Sequence, residues 1–508
     1  MPDRDDARAP GASPRPNLVL VCVDQMRFDA MGCAGQEHID TPSLDTLARR
    51  GNRFTRAYSS TPTCIPARVA LMTGTGPETH GRYGYRERID FPAAYPVTLP
   101  GTLREHGYQT FGVGKMHVWP ERARCGFDDV LLHDGYLHVS RPEHRGASAR
   151  ADDYLPWLRA QTGDPSADYQ DTGLGCNAMV ARPWEREERL HPTRWVADQS
   201  FEFLGRRDPT RPFFLYMSFH RPHAPFDPPG WLWDKYSRRD FPERPMGEWV
   251  EEFAEYRRDG DEEAEFAHRS RSRHEAVRAG YYGSIEFLDF QMHRLTEALH
   301  DQGLAEDTAI LFVSDHGEML GDHDLYRKSV AYEGSSHIPF LLHLPPRLRE
   351  QWGPAGEVEQ IVELRDVMPT LLDLAGVPVP ESVTGTSVRR AVSDGTPLRE
   401  HLQGEHLIHQ LGVHSMQWIL TERHKYVWFS GDGREQLFDL VEDPYECVDL
   451  AGRAECAQEL ARHRALLVAH LDGREEGFVQ EGDLVPGRPL RSEAEWVRQF
   501  AADASARR

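Results

Sequence analysis

Uninterrupted apolar runs of strand length constrain the fold of this chain more than any other feature of its sequence. Residues 18–23 form one such run, without the polar alternation expected of a sheet that faces water on one side. Comparable runs lie at 110–113, 213–219 and 309–313, and segments with helical patterning separate them. This alternation predicts an α/β fold, in which a mostly parallel central sheet is flanked by helices.

The chain of 508 residues is long enough for about two to four folding units. Changes in composition divide it into a large domain and a small C-terminal α+β subdomain. Two polar segments inside the large domain interrupt the strand–helix rhythm, and we expect insertions there, either plain surface loops or a lid. The predicted units are a disordered tail (1–16), the large domain (17–385) with insertions near 141–192 and 241–273, the subdomain (386–476) and a C-terminal tail (477–508).

Composition and charge exclude several classes of protein. The 59 basic and 81 acidic residues give a net charge of −22, the wrong sign for a general nucleic-acid binder. No apolar stretch approaches the roughly 20 residues that a membrane helix needs, and residues 1–16 lack the apolar core of a secretion signal. The seven scattered cysteines contain no CxxC pair, so no disulfide framework is expected. We expect a cytoplasmic protein without membrane or nucleic-acid partners, and a homo-oligomer stays open.

Chemically capable residues follow four predicted strands at the point where each strand ends. The four segments are 24–25, 114–117, 220–223 and 314–317. Ligands of open α/β sheets bind outside the carboxyl ends of the strands. We therefore expect the four segments to meet at one crevice.

The acidic strand ends predict a metal site. Asp24, Gln25 and Asp315 offer oxygen atoms, and His316 offers a nitrogen atom. Mostly oxygen ligands favour a hard divalent cation, Ca²⁺, Mg²⁺ or Mn²⁺, over a structural zinc. The alternative for any single aspartate is an ordinary turn or helix-capping role.

The basic strand ends predict an anion site. Lys115, His117, His223 and Lys328 could surround a tetrahedral oxyanion and balance its charge. Taken singly, each of these lysines could equally be a solvated surface charge. An acidic protein needs such a local excess of positive charge to bind an anion.

Cys64 stands at the beginning of a predicted helix, because Pro66 suits the first helical turn. The backbone N–H groups and dipole at that position favour an anion and lower the pKa of a thiol. A small buried cysteine and a thiolate nucleophile are both compatible with this placement. Neither explains Arg68, which follows one helical turn later and could reach the same spot.

The pattern Cys64-x-Pro66-x-Arg68 resembles the signature of the formylglycine-dependent sulfatases of the alkaline phosphatase superfamily, in the arylsulfatase and choline-sulfatase-like branch. Residues 114–117 resemble the family's Gly-Lys-Trp-His, with Met116 replacing the usual Trp. Further resemblances cover most of the chain, at 15–17 with Asp24, 41–45, 221–226, 314–318, 369–373 and 443–446. The resemblance implies an alkaline-phosphatase-like fold and hydrolysis of sulfate esters.

The resemblance also implies a cofactor and a nucleophile. A separate maturation enzyme would oxidise Cys64 to formylglycine, and one oxygen of the hydrated aldehyde would bind the metal and attack the sulfur of a small sulfated substrate. The metal would be one divalent ion, with calcium favoured and magnesium or manganese open. Its ligands would be Asp24, Gln25, Asp315, His316 and the derivative of Cys64.

The remaining family residues would bind sulfate and move protons. His223, beside Lys328, would bind the sulfate and help to protonate the departing alcohol. His117 would remove a proton from the second hydroxyl and so expel inorganic sulfate. Lys115 and Arg68 would orient the diol.

Gln25 departs from the second aspartate found in many sulfatases. The Asp-Gln pair resembles choline-sulfatase-like members, and also the hydrolases of phosphonate monoesters and phosphodiesters. Lys115 and His117 favour a sulfatase acting on an aryl, small alkyl or sugar sulfate. The alternatives are a phosphonate monoester or phosphodiester hydrolase using the same site, and a catalytically silent relative that binds such ligands.

Overall fold

An eight-stranded sheet forms the centre of the computed structural model, which describes residues 15–135, 152–169 and 173–501. Strands β1 to β16 span, in order, Asn17–Asp24, Asn52–Phe54, Ala57–Tyr58, Gln109–Gly114, Asp129–Leu132, Phe213–Pro222, Thr308–Ser314, Phe340–His343, Gly356–Val358, Val362–Glu363, Leu402–Ile408, His414–Leu420, His424–Phe429, Glu435–Asp439, Val479–Gln480 and Asp483–Leu484. The order in the central sheet is β5-β4-β6-β1-β7-β8-β2-β9. All of its pairings are parallel except those that β8 makes with β7 and β2.

Helices cover both faces of this sheet. The α-helices are Pro42–Arg50, Cys64–Thr73, Pro77–His80, Phe91–Ala94, Leu99–Glu105, Tyr154–Thr162, Pro192–Arg206, Gly230–Tyr236, Arg271–Asp301, Glu333–Ser336, Pro346–Trp352, Val367–Ala375, Arg389–Asp394, Ala457–Leu471 and Glu495–Arg498. Within the described residues, none of the helices is both long and apolar enough to cross a membrane.

Strand β1 shows how the sequence specifies these layers. Because successive side chains of a strand point to opposite faces, its residues divide between two apolar cores. Val19, Val21 and Val23 pack with the long helix Arg271–Asp301 on one face. Leu18, Leu20 and Cys22 pack on the other face, in the core that contains the helix Cys64–Thr73. The predicted α/β fold with a mostly parallel central sheet is confirmed.

The C-terminal part forms a second, antiparallel sheet in the order β11-β12-β13-β14. The helix Ala457–Leu471 covers one face of it, where Leu467 and Leu471 pack against Tyr426 and Trp428. This agrees with the predicted small α+β subdomain. Residues 479–501 then return to the large domain. The Tyr83 N–H donates a hydrogen bond to the Ser492 carbonyl there, at 2.8 Å.

The segments predicted as insertions pack against neighbouring parts of the molecule where the structure describes them. Trp249, Phe253 and Phe266 form one buried cluster with Trp418 and Phe429 of the C-terminal sheet. Segment 241–273 therefore joins the two sheets. Within 141–192, residues 141–151 and 170–172 lie outside the described residues, as do 1–14 and 502–508.

Candidate active site

Strands β4, β6, β1 and β7 lie side by side, so their carboxyl ends meet at one edge of the sheet. A cavity of about 320 Å³ opens at this edge. Half of the predicted site residues line it: Cys64, Lys115, His117, His223 and Lys328. The other half are buried behind them. Asp24, Gln25, Arg68 and His316 contact residues that line the cavity, and Asp315 is hydrogen-bonded to Arg68. The structure thus brings all ten predicted residues together at this cavity.

Cys64 is the first residue of its helix and is 2% exposed. Its Sγ lies 3.2 Å from Nε2 of His316, 3.6 Å from Oδ1 of Asp24 and 3.6 Å from Nζ of Lys115. Burial and Asp24 raise the pKa of this thiol, but Lys115, Lys328 and His316 outweigh them and hold that pKa well below its usual value. The side chain therefore stands in a strongly polar setting, unlike an inert core cysteine.

Asp24, Cys64, Asp315 and His316 each place one ligand atom within 4.8 Å of the others, and all four are buried. Burial, together with the nearby Asp24, raises the pKa of Asp315. Nδ1 of His316 is 3.0 Å from the Gly317 carbonyl, so Nε2 is left for a ligand. Two buried carboxylates and an oriented imidazole make a donor set that suits a divalent cation.

The side chain of Gln25 forms hydrogen bonds with two residues that follow β7, Glu318 and Lys328. Its side-chain amide donates to the Glu318 carboxylate and its Oε1 accepts a hydrogen bond from Lys328. Its backbone N–H donates to Oδ1 of Asp315 at 3.2 Å. Glu318 also accepts a hydrogen bond from the Leu320 N–H at 2.8 Å, so it connects the end of β1 to the loop after β7.

Arg68 is buried and forms hydrogen bonds with three parts of the site. Its Nε donates to Oδ2 of Asp315 at 2.9 Å, and its Nη1 donates to the Lys115 carbonyl at 2.7 Å and to Oγ of Ser218 at 2.8 Å. It does not line the cavity. Its contacts fix the ends of β4, β6 and β7 relative to each other, which accounts for its position one turn after Cys64.

The turn after β4 directs Lys115 into the site. Gly114 has a φ of +100°, and a Cβ atom there would lie only 1.9 Å from the Ser218 carbonyl oxygen. Only glycine fits this close approach of two strands. Lys115 then donates from Nζ to Oδ2 of Asp24.

His117 is held by Asp134, which the sequence patterns did not indicate. Oδ1 of Asp134 accepts hydrogen bonds from the N–H groups of Met116 at 2.6 Å and His117 at 2.9 Å. His117 has a φ of +56°, and these two bonds stabilise that left-handed turn. Nε2 of His117 lies 3.4 Å from the Tyr85 hydroxyl.

His223 and Lys328 both line the cavity and are hydrogen-bonded to each other. Nε2 of His223 lies 2.8 Å from Nζ of Lys328, and its Nδ1 lies 2.8 Å from the Ala224 carbonyl. The imidazole therefore donates from Nδ1 and accepts at Nε2. Burial, and then the Lys328 charge, lower the pKa of His223 well below its usual value.

Comparison with known proteins identifies this arrangement. The Sulfatase family model matches residues 16–377, which is most of the chain and contains all ten site residues. The chain belongs to the sulfatase family. A second model, for the C-terminal region of N-sulphoglucosamine sulphohydrolase, matches residues 321–470.

Known relatives agree with this membership. The sulfatase is 42% identical to the arylsulfatase of Clostridium perfringens over 94% of its own length and 98% of that protein. It is 30% identical to the choline-sulfatase of Rhizobium meliloti, covering 86% and 82% of the two chains. The solved phosphonate monoester hydrolase of Agrobacterium radiobacter is similar in structure, with a TM-score of 0.73, 26% identity and coverage of 90% and 95%. The chain is thus an enzyme that hydrolyses sulfate esters, with the alkaline-phosphatase-like fold.

The second wall of the sulfatase cavity comes from the C-terminal sheet. Residues 406, 407, 409 and 410, at the end of β11 and beyond it, line the cavity opposite the strand ends. Nε2 of Gln410 donates to the Lys328 carbonyl at 2.7 Å. His406 is buried, and within the described part of the chain neither of its ring nitrogens has a hydrogen-bond partner. Asn177, Glu265 and Arg327 also line this side.

Proposed function

We propose that this sulfatase hydrolyses small sulfate monoesters through a formylglycine formed from Cys64, with one divalent cation, and releases inorganic sulfate and an alcohol. The observation that carries the proposal is the position of Cys64, in contact with Asp24, Lys115 and His316 at the floor of the cavity. The family membership supports the same chemistry. The proposal includes a maturation enzyme as a partner, because oxidation of the thiol needs an external catalyst.

The proposed cation would be held by Asp24, Asp315 and His316, with Gln25 contributing Oε1. Because most of these donors are oxygen atoms, a hard cation is expected, with calcium favoured and magnesium or manganese open. When bound, the cation and the formylglycine would together supply an activated oxygen nucleophile. Arg68 would keep Asp315 in place, since it donates to the carboxylate from Nε.

The residues around the cavity would bind the sulfate group and move two protons. Lys115 and Lys328 offer ammonium charges to the sulfate oxygens. The leaving oxygen would take its proton through His223, whose Nε2 is hydrogen-bonded to Lys328. His117 would accept a proton during sulfate release, and Asp134 holds its backbone in position.

A second candidate is hydrolysis of phosphonate monoesters or phosphodiesters at the same site. The structural likeness to the Agrobacterium radiobacter enzyme and the presence of Gln25 both favour it. Sulfate and phosphonate esters both carry negative charge on a tetrahedral centre. Preference between them is therefore a matter of relative rates.

The decisive experiment compares kcat/KM for 4-nitrophenyl sulfate and phenyl 4-nitrophenyl phosphonate. The sulfatase is co-expressed with a formylglycine-generating enzyme, and the mass of the peptide containing Cys64 reports conversion. We expect a strong preference for the sulfate ester in converted protein. A preference for the phosphonate would assign the chain to the second candidate function.

A further inference from the structure

A second cavity, of about 230 Å³, lies beside the first turns of the long helix Arg271–Asp301. None of its lining residues lines the active-site cavity. Its walls contain four arginines: Arg244, Arg269, Arg271 and Arg278. Such a concentration of positive charge is unusual on a chain whose net charge is −22.

Two of these guanidinium groups are buried and have no directly paired carboxylate within the described part of the chain. Arg269 and Arg278 are 4% and 6% exposed, and neither forms an ion pair with a carboxylate of the described residues. Arg269 donates from Nη2 only to main-chain carbonyls, and Arg278 donates from Nη1 to the Pro242 carbonyl. A buried charge is costly unless an opposite charge compensates it.

The acidic residues nearby are already paired with other arginines, among them Arg244 and Arg271. Arg271 reaches Glu275 at 2.8 Å and Glu243 at 3.2 Å. Arg244 lies 2.5 Å from Oδ1 of Asp324. These pairs occupy the carboxylates beside Arg244 and Arg271. Among the described residues, Arg269 and Arg278 interact with carboxylates only at longer range and form no direct ion pair.

His274 adds a hydrogen-bonding group to the same cavity. It is 7% exposed, and both of its ring nitrogens are buried without a hydrogen-bond partner among the residues that the structure describes. Burial, and then Arg278 and Arg244, lower its pKa to about 3, so the ring is neutral at physiological pH. A neutral imidazole carries one N–H donor, which an anion oxygen can satisfy.

We propose that this cavity is a second anion-binding site, which takes a sulfate group between Arg269, Arg278 and His274. Two guanidinium groups and an imidazole offer the donors that a tetrahedral oxyanion prefers. The sulfate group is either free sulfate or one carried by a sulfated saccharide. The inference does not depend on the proposed function, because it concerns different residues.

Anomalous diffraction tests the proposal directly on the wild-type protein. Crystals of the full chain are soaked in sodium selenate, a tetrahedral analogue of sulfate that scatters anomalously, or in a sulfated disaccharide. We expect a selenium peak within hydrogen-bond distance of Arg269 and Arg278, separate from any peak beside Cys64. If only the disaccharide binds there, the source is a sulfated saccharide. If neither occupies the cavity, the proposal is wrong.

Solution binding provides a second measurement. Calorimetric titration with selenate at low ionic strength should give two sites in the wild-type protein. Arg278→Gln should weaken the second site by about tenfold or more, since hydrogen bonds to charged groups are the strong ones, and leave the first unchanged. Arg206→Gln is the matched control. It removes an exposed arginine that does not line the second cavity, so both sites should remain. If Arg278→Gln and Arg206→Gln bound selenate equally at the second site, the assignment of that site would be wrong.

Discussion

Nζ of Lys328 lies 2.8 Å from Nε2 of His223, while Nδ1 of that imidazole is bonded to the Ala224 carbonyl. Under the proposed function, this pair supplies the proton that the leaving oxygen of a bound ester takes up. We therefore expect His223→Ala to lower kcat/KM by about 10²–10⁴ for alkyl sulfates. Activated aryl esters should lose much less, because their leaving groups depart without a proton.

The test of this first prediction is the dependence of log kcat/KM on the pKa of the leaving alcohol. The slope should become steeper in His223→Ala and in Lys328→Met. His300→Ala, which removes an exposed histidine from the end of the long helix, should leave it unchanged. Equal losses for aryl and alkyl esters would assign His223 to sulfate binding alone.

Cys64→Ala should abolish turnover, because the variant has no thiol to be converted into formylglycine. The variant loses a single sulfur atom that faces an existing cavity, so thermal stability should change little. Steady-state assay and a thermal melt of the variant check both expectations. Activity at the wild-type level would end the formylglycine proposal.

Asp315→Asn should weaken cation binding. The carboxylate lies within 4.8 Å of the other candidate ligand atoms and also accepts the Arg68 hydrogen bond, so the substitution removes charge from the centre of the site. Since loss of outer-sphere partners alone often costs about tenfold in metal affinity, we expect at least that loss. Elemental analysis after dialysis measures it. The exposed substitution Asp240→Asn is the control, and equal metal content in both would exclude Asp315 from the ligand set.

The strands and the meeting of their ends could be predicted because each depends on short stretches of sequence. The run at 18–23 appears as β1, and the polar residues after β1, β4, β6 and β7 come together as the rule for parallel sheets requires. Family membership could likewise be predicted, because its motifs are local.

Contacts between distant segments could not be predicted. Arg68 bonds to Asp315 across 247 positions, and Gln410 reaches Lys328 across 82 positions. Asp134 supports His117 through a single side-chain oxygen, for which the sequence offers no pattern. The wall of the cavity that contains Gln410 is therefore a property of tertiary packing.

Aromatic residues of the loops illustrate the same limit. Trp184 and Trp195 could serve an apolar substrate pocket or simply anchor their segments, and the sequence does not separate these roles. Both are buried in the core on the long-helix side of the sheet, and neither lines the active-site cavity. Their burial therefore supports the anchoring role, and this burial depends on the fold as a whole.

Glu333 and Glu446 are buried on either side of Lys425, whose Nζ lies 2.7 Å from the first carboxylate and 2.8 Å from the second. Burial raises the pKa of Glu446 to about 7, with Lys425 opposing and Glu333 adding to the effect. An acid with a raised folded-state pKa holds its proton more tightly when folded. Stability is therefore lost as the pH rises from about 4.5, its unfolded value, to about 7. Burial also opposes ionisation of Glu333, but Lys425 and His337 lower its pKa to about 2, so its contribution is complete above pH 4.5.

Glu446→Gln should remove the loss of stability between pH 5 and pH 8, since a neutral amide does not ionise. Relative to wild type, the free energy of unfolding of the variant should rise by about 2 kcal/mol across this range. Urea unfolding at pH 5, 6.5 and 8 measures the difference. Glu442→Gln changes an exposed carboxylate nearby and should show the same difference from wild type at every pH. A difference for Glu446→Gln that stays constant from pH 5 to pH 8 would mean that Glu446 is already ionised at pH 5, contrary to its raised pKa.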